Sequence, residues 1–189
     1  VPESGFVEVG KSVTVNVEDV TDGATWDWND VELLASYVDY SNYETDEGYF
    51  SWDPTTHSIT SLKTNNNESV YVRFGLKSNP ELTSYFTMRT GDGWPYTSFT
   101  ITPAEQEVVK GYNCQMSVDS WAPESVETWD PYSIEIDPAS DPNGYFKYEP
   151  GFPRLRAFYS CKPGTYNIRM RLMSNHNVGF TMKITVTDE

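Results

Sequence analysis

Few side chains in this sequence could carry chemistry. Histidine occurs twice, at His57 and His176, and cysteine twice, at Cys114 and Cys161. A Ser-His-Asp hydrolase needs a histidine held against a buried carboxylate. Both histidines fall in predicted turns, and His57, after Pro54-Thr55-Thr56, reads as a solvated turn residue. The cysteines are too few and too far apart for a zinc site of the paired Cys-x-x-Cys kind. They read either as one disulfide, which implies an oxidising compartment, or as two buried thiols. Two acidic runs, Glu18-Asp19 with Asp22 and Asp39 with Glu44, Asp46 and Glu47, could offer oxygens to a hard cation. Neither has the ligand spacing of a calcium loop, so solvated acids are the favoured reading. No catalytic residue, metal or cofactor is therefore expected.

The aromatic residues suggest a different chemistry. Flat rings stack on the apolar faces of sugars, and an acidic rim accepts hydrogen bonds from hydroxyls. Trp94 and Tyr96 lie in Gly91-Asp92-Gly93-Trp94-Pro95-Tyr96, and Tyr37, Tyr40, Tyr43 and Tyr49 crowd a single tract. Trp94 and Tyr96 are expected either to hold two modules at a fixed angle or to stack on a ligand. Trp26 and Trp129 are expected in hydrophobic cores.

Bulk composition narrows the partners. The chain has 189 residues and a net charge of −15. Residues 1–97 carry 16 acids against 5 bases, and the remainder 12 against 8. Such a surface repels nucleic acid and anionic lipid. No apolar run approaches the roughly 18 residues of a membrane span. The sequence starts inside what reads as a strand, as expected if a signal peptide has been removed; separately, the chain is expected to be part of a larger protein. A protein or a glycan remains as the expected partner.

These residues are placed by an internal repeat. Gly-Tyr-Phe occurs at 48–50 and again at 144–146, an offset of 96. In the same register Val72, Arg73, Leu76, Ser78 and Asn79 match Ile168, Arg169, Leu172, Ser174 and Asn175. Phe86-Thr87-Met88 matches Phe180-Thr181-Met182 after a shift of two, and Thr25-Trp26-Asp27 matches Thr128-Trp129-Asp130. Pro2 precedes Gly10 by eight residues, as Pro103 precedes Gly111. The first copy is about seven residues longer, in the tract VELLASYVDYSNYETDEG. Insertions collect in loops and at edges, where function also collects.

Each copy reads as short strands. Val13, Val15 and Val17 alternate with polar residues, as do Cys114, Met116 and Val118. Asn65-Asn66-Asn67, Asp141-Pro142-Asn143-Gly144 and Lys162-Pro163-Gly164 supply turns between them. Val31 to Tyr37 alone has a helical look, and it is short and poorly capped. About seven strands per copy is the sandwich pattern. The expected architecture is all-β: two tandem immunoglobulin-like antiparallel β-sandwich domains over 1–90 and 98–189, joined by a linker at 91–97.

A proline, a strand ending in Val-Gly-Lys-Ser-Val, a Thr-Trp pair and then SITSLKTNNNESVYVRF resemble the bacterial group 2 immunoglobulin-like domain. ITPAEQEVVKGYNCQMSV, ETWD and LRAFYSCKPGTYNIRMRL in the second copy are similar to a diverged member. The resemblance implies a module of bacterial surface proteins, adhesins and secreted-enzyme appendages, without catalytic residues. The expected role is therefore an extracellular or cell-surface spacer or adhesion module, with a carbohydrate-binding appendage as the alternative. In such a sandwich Cys114 and Cys161 fall at the same end, so a staple between them is possible.

Overall fold

The computed structural model describes residues 5–16 and 27–188. Trp26, Glu18, Asp19, Asp22, Pro2 and Val17 lie outside the described residues. The chain divides into two compact units, Val1–Gly93 and Trp94–Glu189.

In the first unit the described strands are β1 (Phe6–Glu8), β2 (Ser12–Thr14), β3 (Val31–Tyr37), β4 (Phe50–Asp53), β5 (Ser58–Ser61), β6 (Ser69–Leu76) and β7 (Asn79–Gly91). They form one sheet in the order β1-β7-β6-β3 and another in the order β2-β5-β4. Among the described residues of this unit only β1 pairs in parallel, with β7; the other pairings are antiparallel. Two facing sheets with the first strand joined to the last form an immunoglobulin-like sandwich. Strand alternation builds its core: Val70 and Val72 from one sheet meet Phe50 and Ile59 from the other, with Val7, Val15 and Met88 around them.

The second unit contains β8 (Ser98–Thr102), β9 (Glu105–Val109), β10 (Asn113–Gln115), β11 (Ser117–Ala122), β12 (Ile134–Ile136), β13 (Phe146–Glu149), β14 (Arg154–Ala157), β15 (Gly164–Leu172) and β16 (Asn175–Thr187). Its sheets repeat the first plan as β9-β16-β15-β12 and β10-β14-β13, with β8 and β11 as an additional pair. Leu155, Ile168, Met170, Met182 and Ile184 centre its core.

Strands of the two units correspond at a fixed offset. β4 and β13, and likewise β5 and β14, start and end 96 residues apart, as do β7 and β16. Both β6–β7 and β15–β16 hairpins carry an irregularity just before their last pair, between Gly75 and Leu76 and between Arg171 and Leu172. Gly10 (φ +79°) and Gly111 (φ +84°) turn the chain from the first strand of each large sheet into the opposite sheet. The same hydrogen bond closes both turns, Lys11 N–H to the Glu8 carbonyl (2.9 Å) and Tyr112 N–H to that of Val109 (3.0 Å). Only glycine enters this left-handed backbone at little cost.

Two sequence expectations are corrected here. Phe86 pairs with Val72 and Met182 with Ile168, so the offset of 96 holds and the counterpart of Phe86 is Met182. A slip of two preserves strand parity, so the Phe-Thr-Met coincidence put the right types on the right face at the wrong position. Val31 to Tyr37, with its helical look, is the edge strand β3. Its pairing shifts register between Leu33 and Ala35, and this bulge breaks the period-two pattern.

Candidate functional site

Strand alternation on β6 sends Val70 and Val72 inward and leaves Tyr71 and Arg73 on the outer face of the first unit's larger sheet. The register sets Tyr37 of β3 opposite Tyr71, and Arg73 between Ala35 and Tyr85. The extra residues of the first copy lengthen β3 and then fold into a single 3-10 turn, Tyr40–Asn42, capped by the Asp39 carboxylate, which accepts from Ser41 N–H at 2.9 Å.

The turn joins this face through rings. Tyr37 stacks on Tyr71 with centroids 5.4 Å apart and planes 20° apart. Tyr40 meets the same ring edge-on, at 5.6 Å and 67°. Tyr43 lies 6.4 Å from Tyr40, tilted by 32°. The Arg73 guanidinium stands 5.6 Å from the Tyr43 ring and donates to the Tyr43 carbonyl at 3.5 Å. Tyr37 is buried, whereas Tyr40, Tyr43 and Tyr85 are 57%, 45% and 61% exposed. Burial raises the pKa of the Tyr37 hydroxyl; Tyr40, Tyr71 and Tyr85 push it the same way against a pull from Arg73, so it stays neutral at physiological pH.

Acids close the base of the insertion. Asp46 Oδ1 accepts from the Ser36 N–H, the Ser36 hydroxyl and the Gly48 N–H, each at 2.9 Å. Ser36 Oγ in turn accepts from Tyr49 N–H at 2.8 Å. Burial acts to raise the pKa of Asp46, but these donors outweigh it and hold the carboxyl below its ordinary value. Asp39 and Asp46 thus cap backbone, and among the described residues no three His, Cys, Asp or Glu side chains converge as a metal site would. Tyr49 stands apart from the cluster, under the Lys63 ammonium at 4.1 Å.

The same face of the second unit has another chemistry. Asn167 and Thr181 replace Tyr71 and Tyr85 at the offset of 96. Arg169, the counterpart of Arg73, pairs with Asp137 at 3.0 Å, and Arg171 with Glu135 at 2.8 Å. His176 lies 3.5 Å from Glu135. Burial first, and then the Arg171 charge, hold its imidazole below the ordinary range against the pull of Glu135 and Asp137.

The remaining sequence candidates fall elsewhere. Tyr96 is a core residue of the second unit, 4% exposed, its ring 4.3 Å from that of Trp129. Its hydroxyl donates to the Thr128 carbonyl (3.1 Å) and accepts from Asp130 N–H (2.9 Å), so its ring is not open to stack on a ligand. Trp94 is half-buried in the same unit; its indole N–H donates to Asp130 Oδ2 at 2.7 Å. Residues 94–97, expected in a linker, therefore belong to the second unit. His57, expected as a solvated turn residue, stacks on Trp28 at 4.1 Å. Trp129 packs against the second core.

Cys114 and Cys161 are both buried in the second core, and in this structure they are free thiols. Burial, then the nearby Cys161, pushes the Cys114 thiol up to about 12, and burial also raises Cys161. Neither is a thiolate nucleophile near neutral pH.

Sequence reasoning missed Tyr71, Arg73 and Tyr85 as site residues. The signal was available: within an otherwise gapless match, Tyr71 faces Asn167, an aromatic against a polar residue at an outward position.

No family model matches the chain, and no curated protein matches it. Solved structures resemble it loosely. The S-layer protein rSbsC(31-844) matches with a TM-score of 0.33 and 9% identity over 94% of this chain and 22% of that one. The human desmocollin-1 ectodomain gives 0.28 and 14% over 96% and 38%. A Bacteroides ovatus mixed-linkage glucan utilization locus protein, SGBP-B in complex with mixed-linkage heptasaccharide, gives 0.26 and 9% over 99% and 44%. The chain thus spans about a fifth of the S-layer structure, and likenesses this loose say nothing of what it binds.

Proposed function

We propose that this chain is a non-catalytic recognition tandem, displayed outside the cell as part of a larger surface or secreted protein. In this reading the first unit carries the binding face and the second serves as a spacer. One observation carries it: two copies of one sandwich differ on the same sheet face, and the insertion of the first copy covers that face with tyrosines. Packing dictates the cores, so outward differences between copies are free to serve binding. Exposed tyrosine and arginine are also the residue types over-represented at recognition surfaces. The resemblance to bacterial group 2 immunoglobulin-like domains supports the extracellular setting, and among the described residues no helix is long and apolar enough to cross a membrane.

The test uses fluorescent beads coated with the whole chain and passed over surfaces bearing matrix proteins, mucin or polysaccharides. Retention that drops in Tyr40→Ala/Tyr43→Ala, and persists in a control such as Tyr159→Ala on the second unit, supports the reading. Retention indifferent to the tyrosine pair on every surface overturns it.

A further inference from the structure

We infer that the tyrosine face of the first unit binds a neutral polysaccharide, with Tyr40 and Tyr43 each taking the flat face of one sugar ring. The inference rests on the recognition reading above and names the ligand class for that face. The two rings are exposed, 6.4 Å apart and tilted by 32°, a spacing on the scale of one sugar residue to the next. They are also pre-organised. Tyr40 rests edge-on against Tyr71, and Tyr71 is stacked on the buried Tyr37, so the platform is in place before a ligand arrives.

The polar groups beside the rings suit hydroxyls. Arg73 offers donors beside Tyr43, and Tyr85, its cross-strand partner, offers an exposed hydroxyl that can donate or accept. Charge then selects among glycans. The first unit carries 16 acids against 5 bases, which repels uronic-acid and sulfated chains but not neutral ones. A quaternary ammonium, the other ligand favoured by clustered aromatics, is opposed by the Arg73 guanidinium already at the Tyr43 ring. A standard protein interface buries roughly 800 Å² per partner around a centre depleted in charged residues. Here Arg73 stands at the Tyr43 ring, and Thr83, Thr87 and Arg89 flank Tyr85 at alternate positions of β7, so charged and polar side chains lie within the face.

The experiment is native-gel retardation of the whole chain by neutral polysaccharides (β-glucan, xylan, mannan, galactan), with polygalacturonate and heparin as acidic controls. The variants are Tyr40→Ala, Tyr43→Ala, Tyr40→Phe and the control Tyr159→Ala, each checked for an unchanged melting temperature. The expected result is retardation by at least one neutral polysaccharide, weakened at least tenfold by either alanine variant, kept within a few-fold by Tyr40→Phe and unchanged in the control. Retardation by none of the neutral chains, retardation only by the acidic ones, or equal retardation of the alanine variants overturns the inference. Tyrosine-dependent bead retention on protein surfaces, with no polysaccharide binding, overturns the ligand class and leaves the recognition reading standing.

Discussion

Arg73 and Arg169 occupy the same register position in the two units, and they face opposite environments. Arg73 lies beside the Tyr43 ring at 5.6 Å, whereas Arg169 pairs with Asp137 at 3.0 Å. The partners come from different segments: Tyr43 from the insertion that follows β3, and Asp137 from the residue that follows β12.

The first prediction follows from this contrast. Burial tends to raise the pKa of Asp137, but the Ala139 N–H, the Arg169 hydrogen bond and the two arginine charges outweigh it and hold the carboxyl below its ordinary value. A depressed carboxylate contributes stability that is fully present above the unfolded pKa of about 3.9 and is lost as pH falls through the folded value. Arg169→Ala is expected to destabilise the second unit by about 1 kcal/mol at pH 7, because the pair is only partly buried. The difference from the parent protein should shrink below about pH 4. Arg73→Ala should show no such convergence. Thermal melts across pH 2.5–7 check both, and a parallel pH dependence for the two variants contradicts the assignment.

Ile59 and Leu155 test the equivalence of the cores. They stand 96 residues apart on the central strands β5 and β14, and neither is exposed to solvent. Truncation of either to alanine should cost about 2–5 kcal/mol, as for other buried aliphatic side chains. Each loss should fall on its own unit. Hydrogen exchange of the whole chain resolves this, with faster exchange expected in β6 for Ile59→Ala and in β15 for Leu155→Ala. A loss spread evenly over both units from either variant would contradict two separately packed cores.

Much of this fold was legible because the repeat is nearly gapless from Phe50 to Ser78 and from Phe146 to Ser174, where turns and alternation are shared. Legibility failed where local rules are degenerate. Period two cannot distinguish a slip of two, so Phe180 stood in for Met182. A bulge inside β3 makes a strand look helical. At the site, Tyr40 and Tyr43 stand out as an aromatic-rich insertion, but nothing local marks Tyr71 and Arg73, since sheet register decides which side chains share a face. Tyr96 falls in the stretch 91–97 that reads as a linker, while the Thr128 carbonyl and Asp130 N–H that hold its hydroxyl lie over thirty residues away.

The thiols give a third prediction. Cys114 and Cys161 are free and buried, and burial keeps both protonated. A thiol reagent at pH 8 should label neither in the folded protein within minutes, and should label both in denaturant without reductant. Absence of label in denaturant would show instead that the two are joined as a disulfide in the mature protein.

Asp27 and Asp130 supply the last prediction. Each begins the turn into the outer strand of its unit's larger sheet, β3 or β12: Asp27 Oδ1 accepts from Asn29 N–H at 3.0 Å, and Asp130 Oδ1 from Tyr132 N–H at 2.9 Å. The backbone turn is closed alike, by Asp30 N–H to the Asp27 carbonyl (2.9 Å) and Ser133 N–H to that of Asp130 (3.0 Å). Asp130 carries a second duty, because its Oδ2 accepts the Trp94 indole N–H at 2.7 Å. Asp27→Ala removes one cap and should cost the first unit about 1 kcal/mol. Asp130→Ala removes the cap and the acceptor of the indole together, for a cost of about 2–3 kcal/mol in the second unit. Asp130→Asn keeps an oxygen for only one of the two donors and should fall between. Urea unfolding of the whole chain followed by hydrogen exchange at Val31 and Ile134 separates the units. Equal losses for the two alanine variants would mean that the bond to Trp94 adds nothing to stability.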